Sequence, residues 1–119
     1  MAKALARARY IRVSPRKMRL VADMVRGKRV EEAAAVLEYK RRRASKILAD
    51  LLASAVANAE DAATRQHQRI DTDEMVISRL VVDEGPIVYR LRPQPRGRAT
   101  RIRKRTAHVE ICISDEEES

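Results

Sequence analysis

The stretch Gly85–Arg105 constrains this chain most, because it can neither form a helix nor pack as part of a core. It reads GPIVYRLRPQPRGRATRIRKR and contains no acidic residue. Its prolines and glycines exclude a helix. Runs of strand type flank it, Met75–Asp83 before and Arg101–Ser114 after. Two such runs joined by a proline- and glycine-rich turn are typical of a long β-hairpin, with its tip near Pro93–Gly97.

The predicted hairpin, about residues 83–105, must project from the rest of the chain. A strand from Asp83 to Gln94 reaches roughly 35 Å, whereas the remaining residues would form a globule with a radius of gyration of about 12 Å. An ordering cost of about 1–2 kcal/mol per residue leaves such a ribbon marginal in water. Its cations predict that a polyanion holds it. The alternative is a disordered basic loop without a defined partner.

Composition favours nucleic acid as that polyanion. The chain has 119 residues, enough for one domain with a modest core, and a formal net charge of +9. Such an excess suits nucleic acid or an anionic membrane surface. Aromatic residues make up only 3% of the chain, so stacking of splayed bases is disfavoured. Phosphate contact and recognition of shape are the expected modes of binding.

The sequence contains no candidate for membrane insertion. Its longest apolar run is Ala33–Leu37, far short of a membrane span, and no signal-peptide core follows Met1. A single cysteine, Cys112, excludes an internal disulfide and fits a reducing compartment such as the cytoplasm.

The first half of the chain predicts a strand followed by helices. Residues 2–12 alternate, with alanines and Tyr10 expected on the inner face and basic residues outside. Ser14 and Pro15 predict the cap and first residue of a helix that ends near Arg26, before Gly27. Its early cations form either a solvated face or a site for an anion at the helix start; they are Arg16, Lys17 and Arg19.

A second short helix is predicted to begin at Glu31 and Glu32, and the clearest helix in the chain spans Ser45–Asn58. Periodicity alone also allows one continuous helix from Glu31 to Ala63. The second half begins with a polar connection, residues 64–74, and a largely buried strand from Met75. After the hairpin, a half-buried strand places alternate apolar side chains on one face; they are Ala107, Val109, Ile111 and Ile113. The end of the chain, residues 115–119, predicts an acidic disordered tail.

No pattern in the sequence predicts catalysis, a metal or a cofactor. His67 and His108 lack partners at metal-ligand spacing, and Cys112 has no basic activator in the pattern. No glycine-rich loop follows a strand and opens a helix, so nucleotide cradling is unsupported.

Three ordered motifs resemble the bacterial form of the family of large-subunit ribosomal protein twenty-two. The first is Ser14–Lys17 running through Arg19–Asp23 and closing at Arg26–Lys28. The second is Ser54–Glu60. The third joins Val82–Pro86 to the later segments Arg96–Ala99 and Arg101–Thr106, so the resemblance covers roughly residues 3–114.

The resemblance implies an α+β fold in which three helices pack on a small three-stranded antiparallel sheet and a long β-hairpin protrudes. It separates the second and third helices at the Lys40–Arg43 turn. It also implies a monomer within the cytoplasmic ribosome that binds large-subunit ribosomal RNA, supports its assembly and contacts neighbouring large-subunit proteins. The hairpin tip would lie in the wall of the exit tunnel, beside the nascent peptide.

The tip carried over from the family comprises Val88, Tyr89, Arg90, Leu91, Arg92, Pro93, Gln94, Pro95 and Arg96. The predicted RNA-binding residues are Arg7, Arg9, Arg12, Arg16, Lys17, Lys40, Arg41, Arg42, Arg43, Arg90, Arg92, Arg96, Arg98, Arg101, Arg103, Lys104 and Arg105. Gln94 and Pro95 depart from the Pro-Arg-Ala that is common at family tips, which removes a cation and stiffens the turn. The alternative function is a free-standing basic protein that binds and compacts nucleic acid; an enzyme or translation factor is disfavoured.

Overall fold

The computed structural model describes residues 3–40 and 42–115 and confirms the predicted α+β fold with three helices. In chain order its strands and α-helices are β1 (Lys3–Ile11), α1 (Pro15–Val25), α2 (Val30–Tyr39), α3 (Arg43–Arg65), β2 (Val76–Glu84), β3 (Val88–Gln94), β4 (Arg98–Lys104) and β5 (Ala107–Ser114). Short 3-10 turns cover Thr72–Glu74 and Pro95–Gly97.

Strands β1, β5 and β2 form an antiparallel sheet in that order, so the last strand lies at its centre. The predicted alternation of β5 is confirmed. Its inner residues, Ala107, Val109, Ile111 and Ile113, are at most 2% exposed. On β1, Ala4 and Ala6 lie opposite Ile113 and Ile111 and are also buried. The small alanine side chains leave room for a helix to approach this half of the sheet.

The helices cover the inner face of this sheet. Helix α3 packs on β1 and β5, α1 packs on β2, and α2 contacts both helices. Met18 and Val21 of α1 and Leu48 of α3 are fully buried at the spacing of an amphipathic helix. Burial of this apolar surface is the main stabilising contribution to the fold.

Two arginines, Arg19 within α1 and Arg26 directly after it, donate hydrogen bonds to β2. Strand β2 lies at the edge of the sheet, where its outer carbonyl groups need partners. Arg19 donates from Nε and Nη2 to the Val82 carbonyl oxygen, at 3.3 and 3.2 Å. Arg26 donates from Nε and Nη2 to the Leu80 carbonyl oxygen, at 3.3 and 2.9 Å. Arg19 is therefore occupied by the protein's own backbone, which the sequence did not predict.

The turn after α1 continues this cover of the β2 edge. Gly27 donates from its amide to the Ile77 carbonyl oxygen at 3.2 Å, and Ile77 donates to that of Lys28 at 3.0 Å. Gly27 has φ +80°, a left-handed conformation that glycine adopts without steric cost at the end of a helix. Its predicted position just past α1 is confirmed. Ser14, in contrast, makes no side-chain cap; only its backbone carbonyl accepts, from the Met18 amide.

The helical backbone is interrupted between α2 and α3, which excludes the continuous helix that periodicity allowed. Lys40, with ψ 86°, and Arg42, with ψ 156°, are both non-helical. Helix α3 continues to Arg65, beyond the predicted end at Asn58, and the 3-10 turn Thr72–Glu74 interrupts the predicted polar connection.

The prediction that Tyr10 lies on the inner face of β1 is wrong. A bulge between Ala8 and Ile11 shifts the pairing with β5, and Tyr10 adopts φ 57°. Because the extra residue reverses the alternation, Tyr10 is 65% exposed instead of buried. Its amide donates to His108 Nδ1 at 3.1 Å, and the two rings meet edge to face at 4.9 Å.

Residues 85–105, hereafter the arm, form the protruding hairpin that the sequence predicted, with β3 and β4 paired as a separate two-stranded sheet. The molecule measures 66 × 27 × 23 Å, with a radius of gyration of 17.6 Å. A compact chain of this length would have a value of about 14 Å. The other described residues are called the body. The predicted acidic tail begins at the exposed Asp115, and residues 116–119 lie outside the described part of the chain.

Candidate nucleic-acid interface

The pairing register of the arm places cations on both of its faces. Directly paired residues point to the same side of the ribbon, and Val88 pairs with Lys104 while Gln94 pairs with Arg98. One face therefore carries Arg90, Arg92, Arg98 and Lys104. The other face carries Arg101 and Arg103 beside Tyr89, Leu91 and Pro93. A polyanion that contacted only one face of the arm would not neutralise the cations on the other face.

The arm has no core of its own. Every residue of β3 is exposed, and Leu91 reaches 74% exposure. The Arg101 guanidinium lies 4.6 Å from the centre of the Tyr89 ring, a cation–π contact that orders the two side chains. Within the described residues, no arm cation takes part in a salt bridge. Among the described residues, no acidic side chain therefore forms an ion pair with the cations of the arm.

The tip lies where the sequence predicted it, at the 3-10 turn Pro95–Gly97. Arg96 and Gly97 both adopt left-handed backbone conformations, with φ 63° and 70°. This conformation costs little at Gly97 but is disfavoured at Arg96, because a Cβ atom crowds the neighbouring carbonyl. The turn consequently holds the Arg96 side chain at the extreme end of the arm.

The junction between arm and body is built on a close backbone approach that the sequence did not reveal. Gly85 donates from its amide to the Thr106 carbonyl oxygen at 2.9 Å, and Thr106 Oγ1 donates to the Pro86 carbonyl oxygen at 2.7 Å. A Cβ atom on Gly85 would lie 2.4 Å from Thr106 Oγ1 and 3.2 Å from the His108 ring. Only glycine fits here, so Gly85 and Thr106 set the point from which the arm departs.

A cavity at this junction brings together predicted cations that are far apart in the sequence. It has a volume of about 480 Å³ and lies where the end of β1, the starts of α1 and α3, and the base of the arm meet. Its lining includes Arg12, Arg43, Arg103, Lys104 and Arg105, together with Val13 and Ser14. None of the described residues that line it is acidic. We name it the junction cavity.

The remaining predicted cations of the amino-terminal part lie outside this cavity. Arg7 forms a salt bridge with Glu110 at 3.1 Å, so its charge is already paired. Arg9 lines a separate depression with Asp83 and His108. Arg16 and Lys17 are exposed in the first turn of α1.

The cations of the α2–α3 turn divide between two places. Arg43 lines the junction cavity and also a groove between α2 and α3, whereas Lys40 and Arg42 line only the groove. Arg41, predicted to bind RNA, lies outside the described residues.

The described part of the chain offers little else for chemistry. It contains no group of three or more His, Cys, Asp or Glu side chains arranged to hold a metal ion. No helix described by the structure combines the length and apolar character needed to cross a membrane.

Comparison with known proteins identifies the family. Residues 6–114 match the family described as "Ribosomal protein L22p/L17e". The chain is 42% identical to "Large ribosomal subunit protein uL22" of Desulfitobacterium hafniense (strain Y51), covering 99% of both chains. It is 46% identical to the protein of that name from Syntrophotalea carbinolica, covering 95% of this chain and 98% of the relative. For the protein of that name from Pelotomaculum thermopropionicum the identity is also 46%, covering 98% of each chain. Because residues 6–114 match the family and these relatives are similar over nearly the full length of the chain, this protein belongs to the ribosomal protein L22p/L17e family.

Proposed function

We propose that this protein binds large-subunit ribosomal RNA by inserting the arm between RNA segments, while the junction cavity holds backbone phosphates. Family membership makes it a structural, non-enzymatic constituent of the bacterial large ribosomal subunit in the cytoplasm. The observation that carries the RNA-binding proposal is that both faces of the arm carry cations, none of which forms a salt bridge with another described residue.

Phosphate contact is the mode of binding that the side chains of the arm favour. Arginine offers a planar set of donors that matches phosphate oxygens, and it dominates the arm. Tyr89 is the only aromatic residue in the arm and is already covered by Arg101. Base stacking therefore has little to contribute, and RNA shape with phosphate position determines where the arm lies.

The junction cavity adds a concave site to the extended contact of the arm. Its cations come from three parts of the fold, so a phosphate bound there contacts the body and the arm together. The amino-terminal ends of α1 and α3 lie at this cavity, since Ser14 precedes α1 and Arg43 begins α3. Both helix dipoles favour an anion at that end.

We further propose that the tip, Val88–Arg96, forms part of the wall of the exit tunnel and faces the nascent peptide. Support comes from the family resemblance and from the length of the molecule, 66 Å, along which the arm extends away from the body. In this role the protein is a monomer among neighbouring large-subunit proteins, and by joining separate RNA segments it supports assembly of the subunit.

Salt dependence of binding to a large-subunit RNA fragment tests the main proposal. With about ten phosphate contacts, the logarithm of affinity should fall with the logarithm of salt at a slope of roughly −7 to −9. A triple variant, Arg92→Gln/Arg98→Gln/Arg101→Gln, should make the slope shallower by about 2 to 3.

The matched control is Arg65→Gln/Arg69→Gln/Arg79→Gln, which removes the same charge from exposed positions of the body. It should change the slope by less than about 1. A wild-type slope shallower than about −3, or equal changes in both variants, contradicts the proposal. Equal affinity for random duplex DNA at the same salt favours a general nucleic-acid compactor.

Photo-cross-linking tests the position of the tip. A photoreactive residue at Gln94, in subunits that carry a radiolabelled stalled peptide, should cross-link to that peptide, whereas one at Glu84 in the body should not. Labelling of RNA alone from Gln94 would remove the tunnel proposal without affecting RNA binding.

A further inference from the structure

An apolar groove of about 770 Å³ lies between α2 and α3. Its lining includes the buried side chains Val30, Leu37 and Leu52 and the more exposed Ala49, Ala53 and Val56. Alanine side chains on the walls leave space that larger residues would have filled. The groove has the volume of a ligand-binding cleft, and it is lined by aliphatic groups that water hydrates poorly.

One end of this groove is strongly cationic. Lys40, Arg42 and Arg43 come from the α2–α3 turn, and Lys46 comes from the first turns of α3. Glu38 is the sole acidic residue among the described residues that line it. Tyr39, 82% exposed, stands beside this end with the Lys40 ammonium 5.9 Å from its ring. We call the aliphatic lining the floor of the groove and the cationic end, Lys40, Arg42, Arg43 and Lys46, its mouth.

From this combination we propose that the α2–α3 groove binds a segment of another protein, an amphipathic helix whose apolar stripe fills the floor and whose acidic residues meet Lys40, Arg42 and Lys46. Helix α2 is 10 residues long, so a helix of similar length matches the groove. Apolar anchors at helical spacing are the usual way in which a groove between helices takes a peptide.

Other occupants fit the groove less well. RNA phosphates would find donors at the cationic end, where Lys40, Arg42 and Arg43 were predicted to bind RNA, but RNA would leave the aliphatic floor uncovered, since bases stack on aromatic or guanidinium planes. A second copy of this chain would bring another net charge of +9 to a cationic mouth. The chain's own terminal residues, Glu116–Ser119, include no apolar side chain to cover the floor. An apolar and acidic segment of a different protein satisfies both parts of the groove.

Photo-cross-linking in assembled large subunits tests the proposal. A photoreactive residue is placed at Ala53 on the α3 wall or, in a second variant, at Ala34 on the α2 wall; both side chains are exposed. The matched control is Ala62, which is also exposed on α3 and lies on the opposite face by helical spacing. We expect protease-sensitive, ribonuclease-resistant cross-links from Ala53 and Ala34 at a yield at least about tenfold above that from Ala62.

Charge reversal tests the acidic end of the partner. Lys40→Glu/Lys46→Glu, introduced with the photoreactive residue at Ala53, should lower the yield at least about fivefold, because like charges then face each other. Arg65→Glu/Arg69→Glu, the matched reversal at exposed positions outside the groove, should leave the yield unchanged. Cross-links to RNA, or protein yields from both walls no higher than from Ala62, overturn the proposal. If the yield of protein cross-links is unchanged by the Lys40 and Lys46 reversal, the proposal that acidic residues of the partner meet these lysines is overturned.

Discussion

In the body, Ile111 and Ile113 of β5 are fully buried on the face of the sheet where α3 packs, whereas in the arm every residue of β3 is exposed. The body pairs several of its charges internally, as Arg7 does with Glu110 and Arg19 does with the Val82 carbonyl. The arm leaves its cations without salt bridges in the described structure. The body is thus stabilised by its own packing, and the arm depends on what it contacts outside the protein.

The difference follows from what each segment can bury. Ordering a residue costs about 1–2 kcal/mol, and each core side chain of the body offsets this with about 1.5–3 kcal/mol of apolar burial. The arm has one partly buried apolar side chain in β4, Ile102, and none in β3. Its backbone hydrogen bonds alone leave it marginal in water. Mutations in the two regions should therefore have very different effects on stability.

The largest expected difference comes from removing one leucine side chain from each region. Leu48→Ala leaves a cavity at a fully buried position of α3, and it should lower the free energy of unfolding by about 2–5 kcal/mol. Leu91→Ala in the arm, where the side chain is 74% exposed, should change it by less than about 0.5 kcal/mol. Urea unfolding of the isolated variants measures both. Similar losses at the two positions would mean that the arm packs as part of the core.

Glycine-to-alanine changes locate the boundary between the two regions. Gly85→Ala brings a Cβ atom to 2.4 Å from Thr106 Oγ1, which is buried at the junction, and should cost about 1–3 kcal/mol. Gly97→Ala at the tip meets nothing within 4 Å but has φ +70°. Its strain of about 1–2 kcal/mol falls on the arm alone, so global unfolding should change by less than about 0.5 kcal/mol.

Calorimetry or urea unfolding of these two glycine variants provides the measurement. If Gly97→Ala destabilises the protein as much as Gly85→Ala, the arm unfolds together with the body, and the boundary at Gly85 is refuted.

The sequence revealed those features of the two regions that depend on local pattern. Alternation predicted which residues of β5 face the core, and Pro15 predicted the first residue of α1. Gly27 has the backbone preference of a helix end, and the predicted tip near Pro93–Gly97 contains the observed turn, Pro95–Gly97.

The features that the sequence did not reveal depend on contacts between distant segments. Arg19 bonds a carbonyl 63 positions away, and this partner is fixed only once β2 lies at the sheet edge beside α1. Tyr10 faces outward because a bulge adds one residue to β1, and no residue type marks that bulge. The cations of the junction cavity were each predicted to bind RNA, but their meeting in one cavity required the fold.

Removal of a buried hydroxyl from the body should have a smaller effect, and it should raise the free energy of unfolding instead of lowering it. Ser45 of α3 has no exposed surface, and its Oγ has no hydrogen-bond partner in the described structure. Because an unpaired buried polar group is destabilising, Ser45→Ala should raise the free energy of unfolding by about 1 kcal/mol. Ser54→Ala, at an exposed position of the same helix, measures the gain from alanine's helix propensity alone. Equal gains in the two variants would mean that the Ser45 hydroxyl carries no penalty.

The smallest expected effect on stability comes from the largest change, deletion of Val88–Gly97. This deletion removes β3 and the whole of the tip turn but none of the fully buried residues of the body. If the body folds without the arm, the isolated protein should keep its melting temperature within about 3 °C, because a loss of less than about 0.5 kcal/mol shifts a domain of this size no further. Differential scanning calorimetry, with Gly85→Ala as a destabilised reference, provides the measurement. A fall of 10 °C or more would show that the body depends on the arm. An unchanged melting temperature combined with a shallower salt slope for RNA binding would assign folding to the body and RNA contact to the arm.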